Sequence, residues 1–355
     1  MKLHLCLFAL LAPFVSLRAA TWTVDNNTSH PADFRTIQDA VEAAAVGDTI
    51  LVSGSNIDYP QFVMNKRLYI RGQAASTTNV GVTILGAVKL RDFGYTSDPD
   101  YRHAGGSVLE GLTFNTVTVS HMCAGVKMDR CLVKDSVSLD GCTGSLILNC
   151  RVESEIALTQ AHAEVGSLIP GIYATDNTVV GTWAVGVLQS GSINTMIENC
   201  VLGYYFGSGS QTQGPVRISS NSPPFVFRNT ILIGKQSVFY YSSGNSAAVF
   251  DHCLSISDSA LPDENGNLSL AYSGFADVFQ DATAYAIAAE TFLLKAGSPA
   301  IGAGTGGVDM GMYGGIAPFV PGQIPALPRI LYLAVPPLVP DSTGLTFEVR
   351  AEARD

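Results

Sequence analysis

Two residues of complementary chemistry stand 19 positions apart, His121 and Asp140. An imidazole near a carboxylate is a common arrangement for general acid–base catalysis. Because the chain also repeats in steps of 19 residues, we predict that the two lie in one column on consecutive repeats. Three polar residues fall near the same column by strand pattern: Gln160, Gln189 and Tyr241. His121 and Asp140 are therefore candidate catalytic residues and the other three candidate substrate-binding residues. The alternative is a polar strand edge without catalytic function.

A polar and aromatic segment interrupts the repeats at residues 92–106. Loops that leave a rigid scaffold often carry its binding function. Asp98 and Asp100 could bind Ca²⁺ through carboxylate oxygens. Tyr95 and Tyr101 could stack on sugar rings, and Arg102 could contact a polar substrate. The alternative is a solvated turn made by Asp-Pro-Asp.

The elements that must position these residues are predicted by a recurring phrase: an apolar residue, a polar residue, Cys or Thr, then apolar residues. Its copies align at Cys131, Cys150, Thr178, Cys200, Thr230 and Cys253, in steps of 19, 28, 22, 30 and 23 residues. Alternating runs between the copies have the period of strands, and none has a sustained helical stripe. The sequence predicts an all-β fold, a parallel β-helix in which Asn149, Asn199 and Asn229 form an internal or turn-bonded ladder.

The first twenty residues have the pattern of a secretory signal peptide, with Lys2, an apolar run over residues 5–15 and small residues at Ala19 and Ala20. Cleavage is expected near Ala19 or Ala20, and no later segment is long and apolar enough to span a membrane. The remaining chain has six Cys and, with 18 basic and 30 acidic residues, a net charge of −12. Because the Cys follow the repeat, they are predicted to be buried free thiols rather than disulfides or Zn²⁺ ligands.

The two ends of the chain carry different elements. Asp33 is expected to cap a helix from Phe34 to about Ala45, which would cover the first strands. After a linker rich in proline, residues 330–335 and 345–351 are predicted to be two strands. The expected organisation is a signal peptide at 1–20, a β-helix domain at 21–315 and a C-terminal two-strand (β-hairpin) extension at 316–355.

Three runs near the N-terminus, DFRTIQDAV (33–41), VGDTILV (46–52) and NKRLYIRG (65–72), resemble the entry segment of right-handed parallel β-helix proteins of the pectin-lyase-like superfamily. LKAGSPAIGAG (294–304) and DMGMYGG (309–315) are similar to the closing segment of its secreted bacterial members. The resemblance implies a right-handed coil and a secreted or cell-surface location. It does not define an activity, because the superfamily includes lyases, hydrolases, epimerases and adhesins.

Two functions are consistent with these patterns. The first is a polysaccharide lyase or hydrolase acting on an acidic polysaccharide, for which Ca²⁺ or a local basic patch would offset the acidic charge of the chain. The second is a non-catalytic solenoid that binds a polysaccharide or cell-surface glycan. A nucleic-acid partner is not expected, because no basic stripe accompanies the net charge of −10. FDHC, residues 250–253, resembles a phrase of pectate lyases but lies in register with the repeats.

Overall fold

The computed structural model shows an all-β protein whose main sheets are parallel. The residues that the structure describes are 19–73, 83–91, 104–119, 123, 125–140, 145–152, 155–159, 168–170, 173–174, 196–203, 216–218, 225–241, 248–280, 292–315, 318–319, 329–334 and 348–352. The predicted all-β class and parallel strand pairing are confirmed.

The first sheet, sheet A, contains one short strand from each repeat, in chain order. Its strands are β1 (Thr21–Val24), β2 (Thr49–Val52), β4 (Tyr69–Arg71), β6 (Val108–Glu110), β8 (Lys127–Asp129), β11 (Leu146–Leu148), β14 (Leu168–Pro170), β16 (Met196–Glu198), β19 (Phe225–Arg228) and β22 (Ala248–Asp251). The central residue of most of these strands is buried, from Ile50 through Met128 to Phe250. These residues belong to one apolar core, in which Phe227 and Phe250 stack at 5.4 Å.

The second sheet, sheet B, is also parallel and divides at its long strand β7. Its strands are β3 (Val63–Met64), β5 (Thr83–Leu90), β7 (Thr113–Val119), β9 (Leu132–Val133), β10 (Ser136–Asp140), β12 (Arg151–Val152), β13 (Glu155–Thr159), β15 (Tyr173–Ala174), β17 (Val201–Gly203), β20 (Ile231–Ile233), β23 (Leu254–Ile256) and β24 (Leu268–Leu270). The first part of β7 pairs with β9 and its last part with β10.

Consecutive repeats pair strand by strand. Lys127 pairs with Leu146 in sheet A, Leu132 with Arg151 in sheet B, and Ser136 with Glu155 in the β10 branch. All three pairs are 19 residues apart, which is the step that the recurring phrase predicted. Each of these repeats therefore contributes three strands, and its apolar side chains are buried by stacking on its neighbours.

A short helix, α1 (Ile37–Ala43), packs against β1 and β2 through Ile37, Ala40 and Val41. The prediction of Asp33 as its N-cap is wrong. Thr36 caps the helix, because its Oγ1 accepts from the Asp39 N–H at 3.1 Å. Asp33 instead accepts from the N–H and hydroxyl of Thr23, both at 2.8 Å, and so binds the edge of β1.

A segment near the C-terminus covers the outer side of sheet B at its last strands. It contains a second helix, α2 (Phe275–Val278), and forms a second apolar core with Val201, Ile231 and Leu254. For this reason all three residues of β17, β20 and β23 are buried, on both faces of the sheet. The apolar residues that the segment contributes are Val278, Phe279, Phe292, Ala300, Met310, Met312 and Phe319.

Two smaller sheets complete the described structure. β18 (Val216–Ile218) and β21 (Phe239–Tyr241) form a parallel pair. β25 (Arg329–Ala334) and β26 (Glu348–Glu352) form an antiparallel pair, close to the bounds that the sequence predicted for the C-terminal strands. None of the helices that the structure describes is long and apolar enough to cross a membrane.

Candidate functional site

Few of the predicted site residues lie in the part of the chain that the structure describes. Asp140 is the last residue of β10, and Tyr241 is the last residue of β21. The other predicted site residues lie outside the described residues: Tyr95, Asp98, Asp100, Tyr101, Arg102, His121, Gln160 and Gln189. Their roles stay predictions.

The strand register does not follow the spacing that placed His121 and Asp140 in one column. Leu139 pairs with Val119, so β10 and β7 are offset by 20 residues rather than 19. Between β9 and β10 the chain has one residue more than the paired part of β7, and there the Asp135 N–H donates to the Asn115 carbonyl at 2.9 Å. Asp140 itself pairs with Thr159. Equal spacing in the sequence therefore does not establish a shared column here.

Among the residues described, a left-handed backbone follows six of the sheet A strands, at Gly111 after β6 and at the residues after β8, β11, β16, β19 and β22. The non-glycine examples share nearly the same angle. The φ angle is 53° at Arg130, 50° at Asn149, 51° at Asn199, 50° at Asn229 and 52° at His252. Asn is among the few L-residues that accept this conformation readily. The Asn ladder that the sequence predicted is thus a column of tight turns, and the three Asn side chains are buried.

The Cys or Thr that follows each turn points into the core and bonds to the neighbouring repeat. Cys131 N–H approaches Cys150 Sγ at 3.4 Å, and Cys200 N–H approaches Thr230 Oγ1 at the same distance. Burial raises the pKa of the Cys253 thiol to about 12. The five described cysteines form no disulfide and are buried, as predicted, whereas Cys142 lies outside the described residues.

Charged side chains collect where the sheet A strands end. We call this row the strand-end strip and define it by Arg71, Glu110, Asp129, Arg130, Glu198, Arg228, Asp251 and His252. Each of them is either the last residue of a sheet A strand or the left-handed residue that follows it. From β4 to β22 the strip crosses seven strand spacings, or about 34 Å at ~4.8 Å each.

The N-terminal cluster consists of Arg71, Glu110, Asp129 and Arg130 of the strip together with Lys127, which lies outside the strip and pairs with Asp129, so it contains three cations and two anions. Arg71 Nε lies 3.2 Å from Glu110 Oε2, Lys127 Nζ lies 2.8 Å from Asp129 Oδ2, and Arg130 Nη1 lies 3.9 Å from Glu110 Oε1. Three buried polar atoms in this cluster, Arg71 Nε, Asp129 Oδ1 and Arg130 Nε, make no hydrogen bond within the described structure. Arg71 Nε is close to Glu110 but off the hydrogen-bond direction, so oxygen atoms of a ligand could still satisfy it.

The C-terminal cluster is centred on Asp251. Its Oδ2 accepts from Arg228 Nε at 2.9 Å, and its Oδ1 lies 2.7 Å from His252 Nδ1. Arg228 Nη1 also lies 3.9 Å from Glu198 Oε1. Burial raises the pKa of Asp251, but the hydrogen bonds from His252 and Arg228 outweigh it and hold that pKa below its ordinary value.

His252 has a fixed orientation because two groups contact its ring. Asp251 holds Nδ1, and Gly266 lies against the opposite edge, where a Cβ at that glycine would be 2.8 Å from Nε2. An ionised carboxylate only accepts hydrogen bonds, so Nδ1 carries a proton, and in the neutral imidazole Nε2 would be the acceptor. The ring is about one-third exposed (34%), which leaves it accessible to a ligand.

The sequence contained a signal for this cluster. Glu198, Arg228 and Asp251 each stand two positions before the aligned Cys or Thr, and strand pairing places them side by side.

Among the described residues, no three His, Cys, Asp or Glu side chains converge as a metal site would require. The strip can therefore supply a proton acceptor, a guanidinium and carboxylates to a ligand lying across it.

Comparison of the chain with protein-family models, with curated proteins and with solved structures gave no match. The class that the structure defines is an all-β protein of stacked parallel sheets built from short repeats.

Proposed function

We propose that this chain is a secreted right-handed parallel β-helix, similar to proteins of the pectin-lyase-like superfamily, and that it acts on polysaccharide held along the strand-end strip. The strands of each repeat pair in parallel with those of the next, which supports a coil. Parallel crossover connections are right-handed in nearly all proteins, which supports the handedness. The resemblance of the entry and closing segments supports the family.

The observation that carries the function is the oriented Asp251–His252 pair. Within the described part of the chain, the other left-handed positions are occupied by Gly or Asn, as at Gly111, Asn199 and Asn229. Arg130 and His252 depart from that rule, and both contact carboxylates of the strip. Residues that break a local structural rule are often retained for function. His252 Nε2 would act as the proton acceptor, with Asp251 holding the tautomer.

The charges along the strip favour a particular placement of the substrate. The N-terminal cluster has three cations and two carboxylates, so it suits the acidic groups of a polyuronate. The C-terminal cluster has one Arg between two carboxylates and attracts no anion by net charge. A polyuronate bound along the strip would therefore have most of its acidic groups at the N-terminal cluster, and Arg228 would be the cation for the carboxylate of the reacting unit at His252.

Two reactions are compatible with the C-terminal cluster. β-Elimination would use His252 Nε2 to remove the proton next to the carboxyl of the reacting uronate, while the glycosidic C–O bond breaks and the leaving oxygen takes a proton from solvent. Arg228 would lie beside the negative charge that develops on that carboxyl. Hydrolysis would use the carboxylates of Glu198 and Asp251, whose strands are two spacings apart. Their backbones are therefore about 10 Å apart, and this distance favours the wider carboxylate separation of inverting enzymes. Base-catalysed elimination uses the oriented imidazole, so we favour the lyase.

A non-catalytic glycan-binding solenoid is the second candidate. It is favoured by the ion pairs within the strip, because paired charges can stabilise the contact between neighbouring repeats without taking part in a reaction. Under this alternative the strip would retain glycan without turnover.

The test uses a panel of polyuronates and neutral glycans, with and without Ca²⁺, followed by the absorbance of unsaturated products and by reducing ends. His252→Asn is the informative variant, because it introduces the residue that other turns of this column contain and should fold with similar stability. His30→Asn is the matched control, since His30 also pairs with an aspartate, at 3.0 Å from Asp25, but lies outside the strip.

The lyase is supported if unsaturated product forms, is lost in His252→Asn and persists in His30→Asn. Reducing ends without unsaturated product would replace the lyase by a hydrolase. Glycan retention without either product would establish the non-catalytic alternative. Absence of both turnover and retention across the panel would contradict the proposed function as a whole.

A further inference from the structure

A buried carboxylate lies beside the start of the first strand. Asp48 is 4% exposed. Its Oδ1 accepts from the Ala20 N–H at 2.7 Å, and its Oδ2 accepts from Trp22 Nε1 at 3.0 Å and from the Ala45 N–H at 2.9 Å. Burial raises the pKa of this carboxyl, but these hydrogen bonds outweigh it and the pKa is lowered overall. Asp48 is therefore ionised at neutral pH.

Asp48 has no ion-pair partner among the residues that the structure describes, although buried charges in proteins are normally paired. Its three direct partners are neutral N–H groups. Lys66 acts on Asp48 electrostatically, but its ammonium donates to the carbonyls of Glu42 and Ala44, at 3.1 and 2.8 Å. A cation in direct contact would complete the site.

The backbone nitrogen of Ala20 is the closest donor to this carboxylate, and Ala20 lies where the sequence predicts the end of a signal peptide. We infer that the chain is cleaved between Ala19 and Ala20 and that the new α-ammonium of Ala20 pairs with Asp48. Water adds across the peptide bond, leaving a carboxylate on Ala19 and an ammonium on Ala20.

The neighbouring bond is a poorer candidate. Cleavage after Ala20 would put the charged Arg18 three positions before the cut, whereas cleavage after Ala19 puts the uncharged Leu17 there; neither is the small residue of an A-x-A site, but the charge is the worse departure. It would also remove the Ala20 carbonyl, which accepts from the Thr49 N–H at 2.9 Å and fixes β1 beside β2. Cleavage after Ala19 keeps both bonds of Ala20, and Ala19 itself is exposed.

The inferred ion pair makes the stability of the folded state depend on cleavage before Ala20. A charge-assisted bond to a buried carboxylate is stronger than a bond from a neutral amide. The chain that starts at Ala20 should therefore be more stable than one carrying additional residues. This inference does not depend on what the strand-end strip binds.

The first experiment is expression of the full chain in a secreting bacterial host and determination of its N-terminus by intact mass and peptide sequencing. The expected mature chain starts at Ala20. A start at Thr21, a start further along the chain, or retention of the leader would overturn the inference.

The second experiment compares thermal unfolding of chains that start at Ala20 and at Ala19, because the longer chain has a neutral amide at residue 20. The extension should lower Tm by a few degrees in the wild type and should have no effect in Asp48→Asn. Asp33→Asn is the matched control, since Asp33 also binds the start of β1, at Thr23, and this variant should keep the full effect. An unchanged Tm on extension of the wild type, or an equal decrease in Asp48→Asn, would contradict the pairing. The wild-type comparison decides the question even if Asp48→Asn does not fold.

Discussion

Replacing Asn229 with Ala should destabilise the protein by about 2–4 kcal/mol, from two contributions. Asn229 has a left-handed backbone with φ of 50°, which costs an alanine about 1 kcal/mol or more. Its buried Oδ1 accepts from the Thr305 N–H at 2.8 Å, and loss of that acceptor leaves a donor unsatisfied at roughly 1–3 kcal/mol. The bond from the Gly311 N–H to the Asn229 carbonyl is retained, because it involves only backbone.

Two further variants separate the contributions in urea unfolding. Asn229→Gly restores backbone freedom and should be about 1 kcal/mol more stable than Asn229→Ala. Asn265→Ala tests the backbone contribution alone, since Asn265 has a φ of 53° but is exposed, and its side chain reaches the Phe250 carbonyl only at 3.4 Å. The reasoning is refuted if Asn229→Ala is no less stable than Asn265→Ala, or if the Gly and Ala variants at 229 unfold at the same urea concentration.

Four other outcomes are expected. Gly315→Ala should lower the free energy of unfolding by several kcal/mol, because φ is +74° and the added Cβ would clash with Asn199 Nδ2. The double variant with Asn199→Gly removes the clash and should recover part of that free energy in the same urea assay. The Cys253 thiol should resist aromatic disulfide reagents until the protein is unfolded, and rapid labelling of the native protein would contradict its burial. The folded pKa of Asp251 is lowered, so its contribution to stability is present above about pH 4 and is lost as pH falls through the folded pKa. In Asp251→Asn, the Tm should therefore fall less steeply on the acid side when it is measured against pH. Thr36→Ala should cost about 1 kcal/mol through loss of the helix cap, whereas Thr36→Ser should be nearly neutral by thermal unfolding.

The repeat could be predicted from the sequence because stacked strands impose one spacing on several residue types at once. Cys131 and Cys150 are neighbours in the structure for this reason, and Asn149 stands one position before Cys150. The helix cap was harder, since Asp33 and Thr36 both have side chains suited to an N-cap, and the choice depends on a long-range bond from Asp33 to Thr23.

Features that depend on register across irregular inserts could not be derived from spacing. One extra residue after Val133 changes the offset between β7 and β10 from 19 to 20. The shared column of His121 and Asp140 stays a prediction, because His121 lies outside the described residues. The aligned Cys200 and Thr230 indicated that Glu198 and Arg228 lie on consecutive repeats, but the contact between their side chains is known only from the structure. The packing of the closing segment on sheet B likewise depends on contacts between distant parts of the chain.

The most direct test of the proposed site is histidine modification with diethyl pyrocarbonate, quantified by peptide mass spectrometry with and without the polysaccharide that the wild type retains. His252 and His30 both pair with an aspartate through Nδ1, at 2.7 and 3.0 Å, but only His252 lies on the strand-end strip. We predict that bound polysaccharide slows the modification of His252 several-fold and leaves that of His30 unchanged. Equal modification of His252 in the free and bound protein would contradict the assignment of the strip as the polysaccharide site.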